Sequence, residues 1–209
     1  MAVSARGGAT RLEPAWAVRS AAQRGAAAVV APFQAAGSLI SAAIGGLSQG
    51  DSSRSELQEY ARVQSDLVRR GAIDDAYATG MIFEYAMERS GPEEALNNVS
   101  AVLSDVAGRF GRDPGNSYLG YQAFGQSGFR SDFSETPPGN QVRHFTAHVL
   151  LGYNWGNGAA ARSFVGWREG GFRGPDYASG VAGLNLGVGL RSGAVTGSNV
   201  FDVIQDYLR

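Results

Sequence analysis

The stretch GNQVRHFTAHVLLGYNWG, residues 139–156, decides how this chain is read. Pro137, Pro138 and Gly139 close an irregular segment before it, and Asn140 has the side chain of a good helix N-cap. The residues that follow suit one helix, 141–155. On a wheel at 100° per residue, Val142, Val149 and Tyr153 share one side. His144, His148, Leu151 and Trp155 share the opposite side. Phe145 and Gly152 lie on one flank, and Arg143, Ala147, Leu150 and Asn154 on the other. A helix that is apolar on two opposed faces is normally surrounded by other elements. The spacing therefore predicts a central helix, with its imidazoles pointing into protein. His144 and His148 are the two histidines of the chain.

A buried imidazole needs hydrogen-bond partners, because an unpaired polar group inside a protein costs a few kcal/mol. Two aperiodic stretches flank this helix in sequence. The first, 111–139, mixes Gly, Pro and Ser with Tyr118, Tyr121, Phe124, Phe129 and Phe133. Five rings argue that it packs down onto the protein. The second, 156–175, carries Phe164, Trp167, Arg168, Glu169 and Phe172. Together with the start of the next helix they supply Asp132, Glu135, Glu169 and Asp176 as partners. A polar cluster beneath the two stretches is expected.

The remaining helices follow from their ends. Ser53 and Glu56 have capping-box spacing, and the helix they open runs from Arg54 to about Arg70 and stops at Gly71. Asp74 or Asp75 starts the next, which ends before Gly91. Pro92, Glu93 and Glu94 open a third, where a missing N–H is tolerated and acids meet the positive end of the dipole. Its apolar stripe is Leu96, Val99, Leu103, Val106 and Phe110. Residues 176–191 read as a helix whose Gly180, Gly183 and Gly187 admit a close neighbour, at a propensity cost of ~1 kcal/mol each. Ser198 or Asn199 caps the last helix. No strand-length alternation competes, so the expected fold is all-α: a compact helical bundle with a central histidine-bearing helix and two long ordered loops.

Composition narrows the chemistry. The chain has 209 residues, 44% of them hydrophobic, enough for a real core. All 18 basic residues are Arg. Without Lys there is no P-loop lysine and no Schiff-base amine. Without Cys there are no thiol nucleophiles, disulfides or Cys-ligated metals. A net charge of -1 with no basic stripe gives no reason to expect nucleic acid.

Residues 1–50 form an Ala/Gly-rich segment distinct from the helical domain 51–209. Arg6, Arg11, Arg19 and Arg24 face one acid, Glu13, and residues 26–47 are apolar but small. A spanning helix wants ~20 strongly apolar residues, and this run is a poor one. It reads as a helix packed through its small residues, as an export or transit signal, or as a membrane-active helix in contact with a bilayer.

For the histidines three readings stay open: structural residues bonded to backbone carbonyls, an acid/base site, and a divalent metal site at His144 and His148, which the sequence does not favour. The metalloprotease arrangement places Glu after the first His; here that position is Phe145. Ser131 and Ser134 lack the elbow motif of a serine nucleophile.

On Asn140, Arg143 and His144, with Asn185 and Gly189 downstream, the chain resembles a loose group of bacterial domains. Those share an N-x-x-R-H helix followed by a Gly-rich helix, and some end secreted, toxin-like proteins. Gly183 stands where an acid is expected in the second motif. The resemblance implies an exported effector rather than a cytoplasmic protein, and a hydrolase. The leading expectation is thus a small bacterial effector or toxin-like hydrolase acting on an unknown, anionic substrate. Its site would be Asn140, Arg143, His144 and His148, with Glu169 or Asp176 orienting the ring. The rival is a non-catalytic interaction or membrane-associated protein with structural histidines and a partner protein.

Overall fold

The computed structural model describes residues 52–104, 106–107, 111–112, 124–135 and 140–209. The expectations for residues 1–50, and for Phe110, Tyr118 and Tyr121, lie outside these. Seven α-helices are found among the described residues: α1 (Ser52–Arg69), α2 (Asp75–Arg89), α3 (Pro92–Ser104), α4 (Gln141–Trp155), α5 (Ala159–Arg168), α6 (Pro175–Ser192) and α7 (Val200–Leu208). The fold is all-α, with one short antiparallel pairing of β1 (Val106–Ala107) and β2 (Gly111–Arg112). None of the described helices is long and apolar enough to cross a membrane.

The helix ends are set locally. At the end of α1 the Ala72 N–H bonds the Leu67 carbonyl and the Gly71 N–H bonds that of Val68. Gly71 takes φ 68°, which a side chain would resist. Asp74 caps α2, accepting from the Tyr77 N–H at 2.8 Å. The capping box expected at Ser53 is not formed. α1 begins two residues earlier, at Ser52, and the Ser53 hydroxyl instead reaches across to Glu94 and Asn98 of α3. The stripe read as continuing to Phe110 stops at Ser104, and Val106 pairs with Arg112 as a strand.

α4 is central. It packs against α2, α3, α5 and α6. Phe145, Val142 and Val149 join Phe83, Leu96 and Leu103 in the main core. Against α6 the contact is backbone to backbone. A Cβ at Gly183 would overlap the Phe145 carbonyl oxygen, one at Gly187 that of Val149, and one at Gly152 that of Leu184. The glycines of α6 therefore do what their spacing predicts, and Gly152 of α4 does the same from the other side. Phe124, Phe129 and Phe133 are buried, so the described part of the first irregular stretch packs down.

The second stretch is not irregular throughout. Residues 159–168 form α5. It has ten residues and a buried face made only of Ala161, Val165 and Gly166. That is too short a stripe to stand out among Gly158, Gly166, Gly170 and Gly171.

Candidate functional site

α4 presents both imidazoles toward the turn between α5 and α6. Its first turn is fixed by Asn140, whose side-chain oxygen accepts from the Arg143 N–H at 3.0 Å. That oxygen caps the helix, as the sequence predicts. Glu169 stands at the C-terminal cap of α5, and Asp176 in the first turn of α6. Gly180 leaves room for His148: a Cβ there would come 3.2 Å from its Nδ1.

His144 is held by Glu169, with Nδ1 2.9 Å from Oε2. Its Nε2 faces Asp176 Oδ1 at 3.8 Å, too far for a hydrogen bond. The His144 side chain keeps 22% of its surface exposed, whereas Glu169 keeps 7%. Burial opposes charging of this ring, but the hydrogen bond and charge of Glu169, aided by Asp176, outweigh it, and the His144 pKa is raised. Arg143, half-buried on the same turn, works against that rise.

His148 is different. Its Nδ1 lies 2.7 Å from the His144 carbonyl oxygen, which can only accept, so Nδ1 carries the proton. Nε2 lies 3.5 Å from Glu169 Oε1. Burial dominates here and lowers the His148 pKa, although the carbonyl and Glu169 favour the charged form. This is the structural role weighed from the sequence, filled by one histidine of the two.

Two further residues complete the cluster. The Gln141 amide, fully buried, donates to Asp176 Oδ1 at 2.7 Å. Glu135 arrives from the first irregular stretch beside Asp176, and two carboxyls so placed favour a hydrogen bond through one shared proton. That bond, with burial and the Asp176 charge, pushes the Glu135 pKa up to about 7. Burial opposes the ionised form of Asp176, but Glu135, Gln141 and the two imidazoles outweigh it and lower its pKa.

The segment carrying Glu135 is tied down twice. Gln126 clamps its backbone, Nε2 donating to the Glu135 carbonyl at 2.9 Å and Oε1 accepting from the Glu135 N–H at 2.8 Å. Asp75, 4% exposed at the start of α2, accepts from the N–H groups of Gly125 and Ser127 and from the Ser127 hydroxyl. The sequence reading named Glu135 as a partner but passed over Asp75, Gln126 and Gln141. The available signal was a row of polar residues beside buried rings.

Among the described residues, His144, Glu169 and Asp176 have donor atoms within 4.8 Å of one another and could hold one metal ion. Glu169 also reaches His148, whose Nε2 lies 3.5 Å from its Oε1. Asp132 is exposed and bonded to Arg130, outside the cluster. Glu84 of α2 is half-buried beside Glu88 and Asp202. Burial first, then those like charges, raise its pKa. The second motif of the resemblance is elsewhere in α6: Asn185 accepts from Asn157 at 2.9 Å, and Gly189 packs under Val195. Comparison of the chain with protein-family models, with curated proteins and with solved structures gave no match.

Proposed function

We propose that the chain is a small hydrolase of the effector or toxin-like class, working by acid/base chemistry at His144. The observation that carries this reading is the asymmetry of that ring. Nδ1 is bonded to a buried carboxylate, Nε2 has no close hydrogen bond, and the side chain is partly exposed. A carboxylate on Nδ1 fixes the tautomer and stabilises the imidazolium that forms when Nε2 takes a proton.

In this reading a water at Nε2 loses a proton to His144 as it attacks the scissile bond, and Glu169 holds the charged ring. Glu135, which shares its proton with Asp176, is placed to return one to the leaving group. Arg143 is the cation nearest to the ring in sequence and fits an anionic substrate group.

The test is expression of the parent and His144→Ala in a bacterial host, with both proteins checked by thermal melting. Toxicity of the parent that His144→Ala abolishes, with the melting transition kept, supports the assignment. Equal toxicity of a folded variant overturns it.

A further inference from the structure

The second irregular stretch has a face that the acid/base site does not use. Three large apolar side chains are well exposed among the described residues: Trp155 at 52%, Trp167 at 75% and Phe172 at 61%. All lie between residues 155 and 172. Trp155 meets Phe164 at 5.6 Å between ring centroids, and Phe164 meets Trp167 at 5.9 Å. The Phe172 ring covers Gly166 on the same helix and touches Tyr177 at 5.9 Å. Aromatic surface shown to water within one short stretch is unusual, because burying it would be favourable.

The charge around these rings has one sign. Arg162, Arg168 and Arg173 are exposed across the same stretch. Its single acid, Glu169, is turned inward to His144. A surface that is aromatic and carries three exposed arginines, against a partly exposed Asp176, complements an anionic, amphipathic partner. It disfavours a second copy of itself, which would set Arg against Arg.

We infer that this face docks onto an anionic lipid surface, with Trp167 and Phe172 entering the headgroup region and the three arginines meeting lipid phosphates. Rings with an apolar body belong at that depth, and basic side chains beside them add attraction to anionic lipid. Ring orientation favours lipid over single-stranded nucleic acid. The neighbouring planes are inclined at 66° and 48°, so the rings pack against one another instead of offering parallel faces for bases to stack on. Glu169 lies within this stretch and Asp176 follows it in the chain, so docking brings the His144 site to the lipid. The inference does not require that site to be catalytic.

The experiment is co-sedimentation of the full chain with vesicles of phosphatidylcholine alone and of phosphatidylcholine with phosphatidylglycerol. The parent is compared with a Trp167→Ala/Phe172→Ala double variant whose melting transition is checked. We expect binding to the mixed vesicles, weaker binding to phosphatidylcholine alone, and release by high salt. The double variant should lose about a hundredfold in affinity, roughly tenfold per ring. Three outcomes overturn the inference. One is no binding to mixed vesicles. Another is undiminished binding of the double variant, which places the contact elsewhere in the chain. The third is failure on vesicles together with ring-dependent binding of a single-stranded oligonucleotide or ring-dependent self-association.

Discussion

His144 and His148 stand four residues apart on one helix, and their surroundings drive their protonation in opposite directions. The raised His144 pKa contributes stability that is complete below the unfolded value of 6.5 and is lost as pH rises through the folded value. The lowered Asp176 pKa contributes stability present above 3.8 and lost as pH falls through its folded value. Glu135 follows the sign of His144. Its raised pKa favours the folded state below 4.5, and that advantage disappears as pH rises through about 7. A Glu135→Gln protein should remove this last contribution. Plotted against pH, the melting temperature of the parent minus that of the variant should fall between 4.5 and about 7. A difference that stays flat would mean that no proton is shared with Asp176.

Among the elements, the α4–α6 pair gives the sharpest expectation. Alanine at Gly183 would gain ~1 kcal/mol of helix propensity. It would also drive a methyl group into the Phe145 carbonyl, and neither backbone can yield without separating the helices. Overpacking of this kind costs typically 1–3 kcal/mol or more, so it outweighs the propensity gain. Urea unfolding of Gly183→Ala should show a net loss of about 1 kcal/mol; a gain would mean that the helices are not in backbone contact. Much of this level was legible in the sequence. Asn140, Asp74, Pro92 and the α6 glycines announce their elements because capping and close approach depend on local residue type. Two features were not legible. α5 buries too short a stripe to register, and Ser53 spends its hydroxyl on a helix that lies 41 residues away in the chain.

Across the whole molecule, Asp75 links the helical core to the site. It is buried at the start of α2, yet its carboxylate holds Gly125 and Ser127, which flank Gln126, the residue that clamps Glu135. Replacing it by alanine would remove the acceptor of three hydrogen bonds, at a cost of about 3 kcal/mol. We expect Asp75→Ala to lower stability by that amount in urea unfolding and to raise proteolytic cleavage within 124–135. Unchanged cleavage would mean that the segment is held by other contacts. The candidate site was legible only in part for the same reason. His144, Glu169 and Asp176 could be proposed from residue type beside a buried helix. The supports Asp75, Gln126 and Gln141 act through partners 35 to 52 residues away or through a backbone clamp, and no periodicity records such links.

Where α4 meets α6, carbonyls and α-carbons form the contact surface, so no side chain there can change rotamer or trade volume with a neighbour. The two helices are geared together: tilting one must carry the other, and with them the imidazoles of α4 and the Asp176 carboxylate of α6. Adjustment of the distance between ring and acid is then left to the single-turn cap at Glu169 and to the tethered strand of chain bearing Glu135. Tuning of this cluster should concentrate in those two pieces, because the shaft beneath them has no slack.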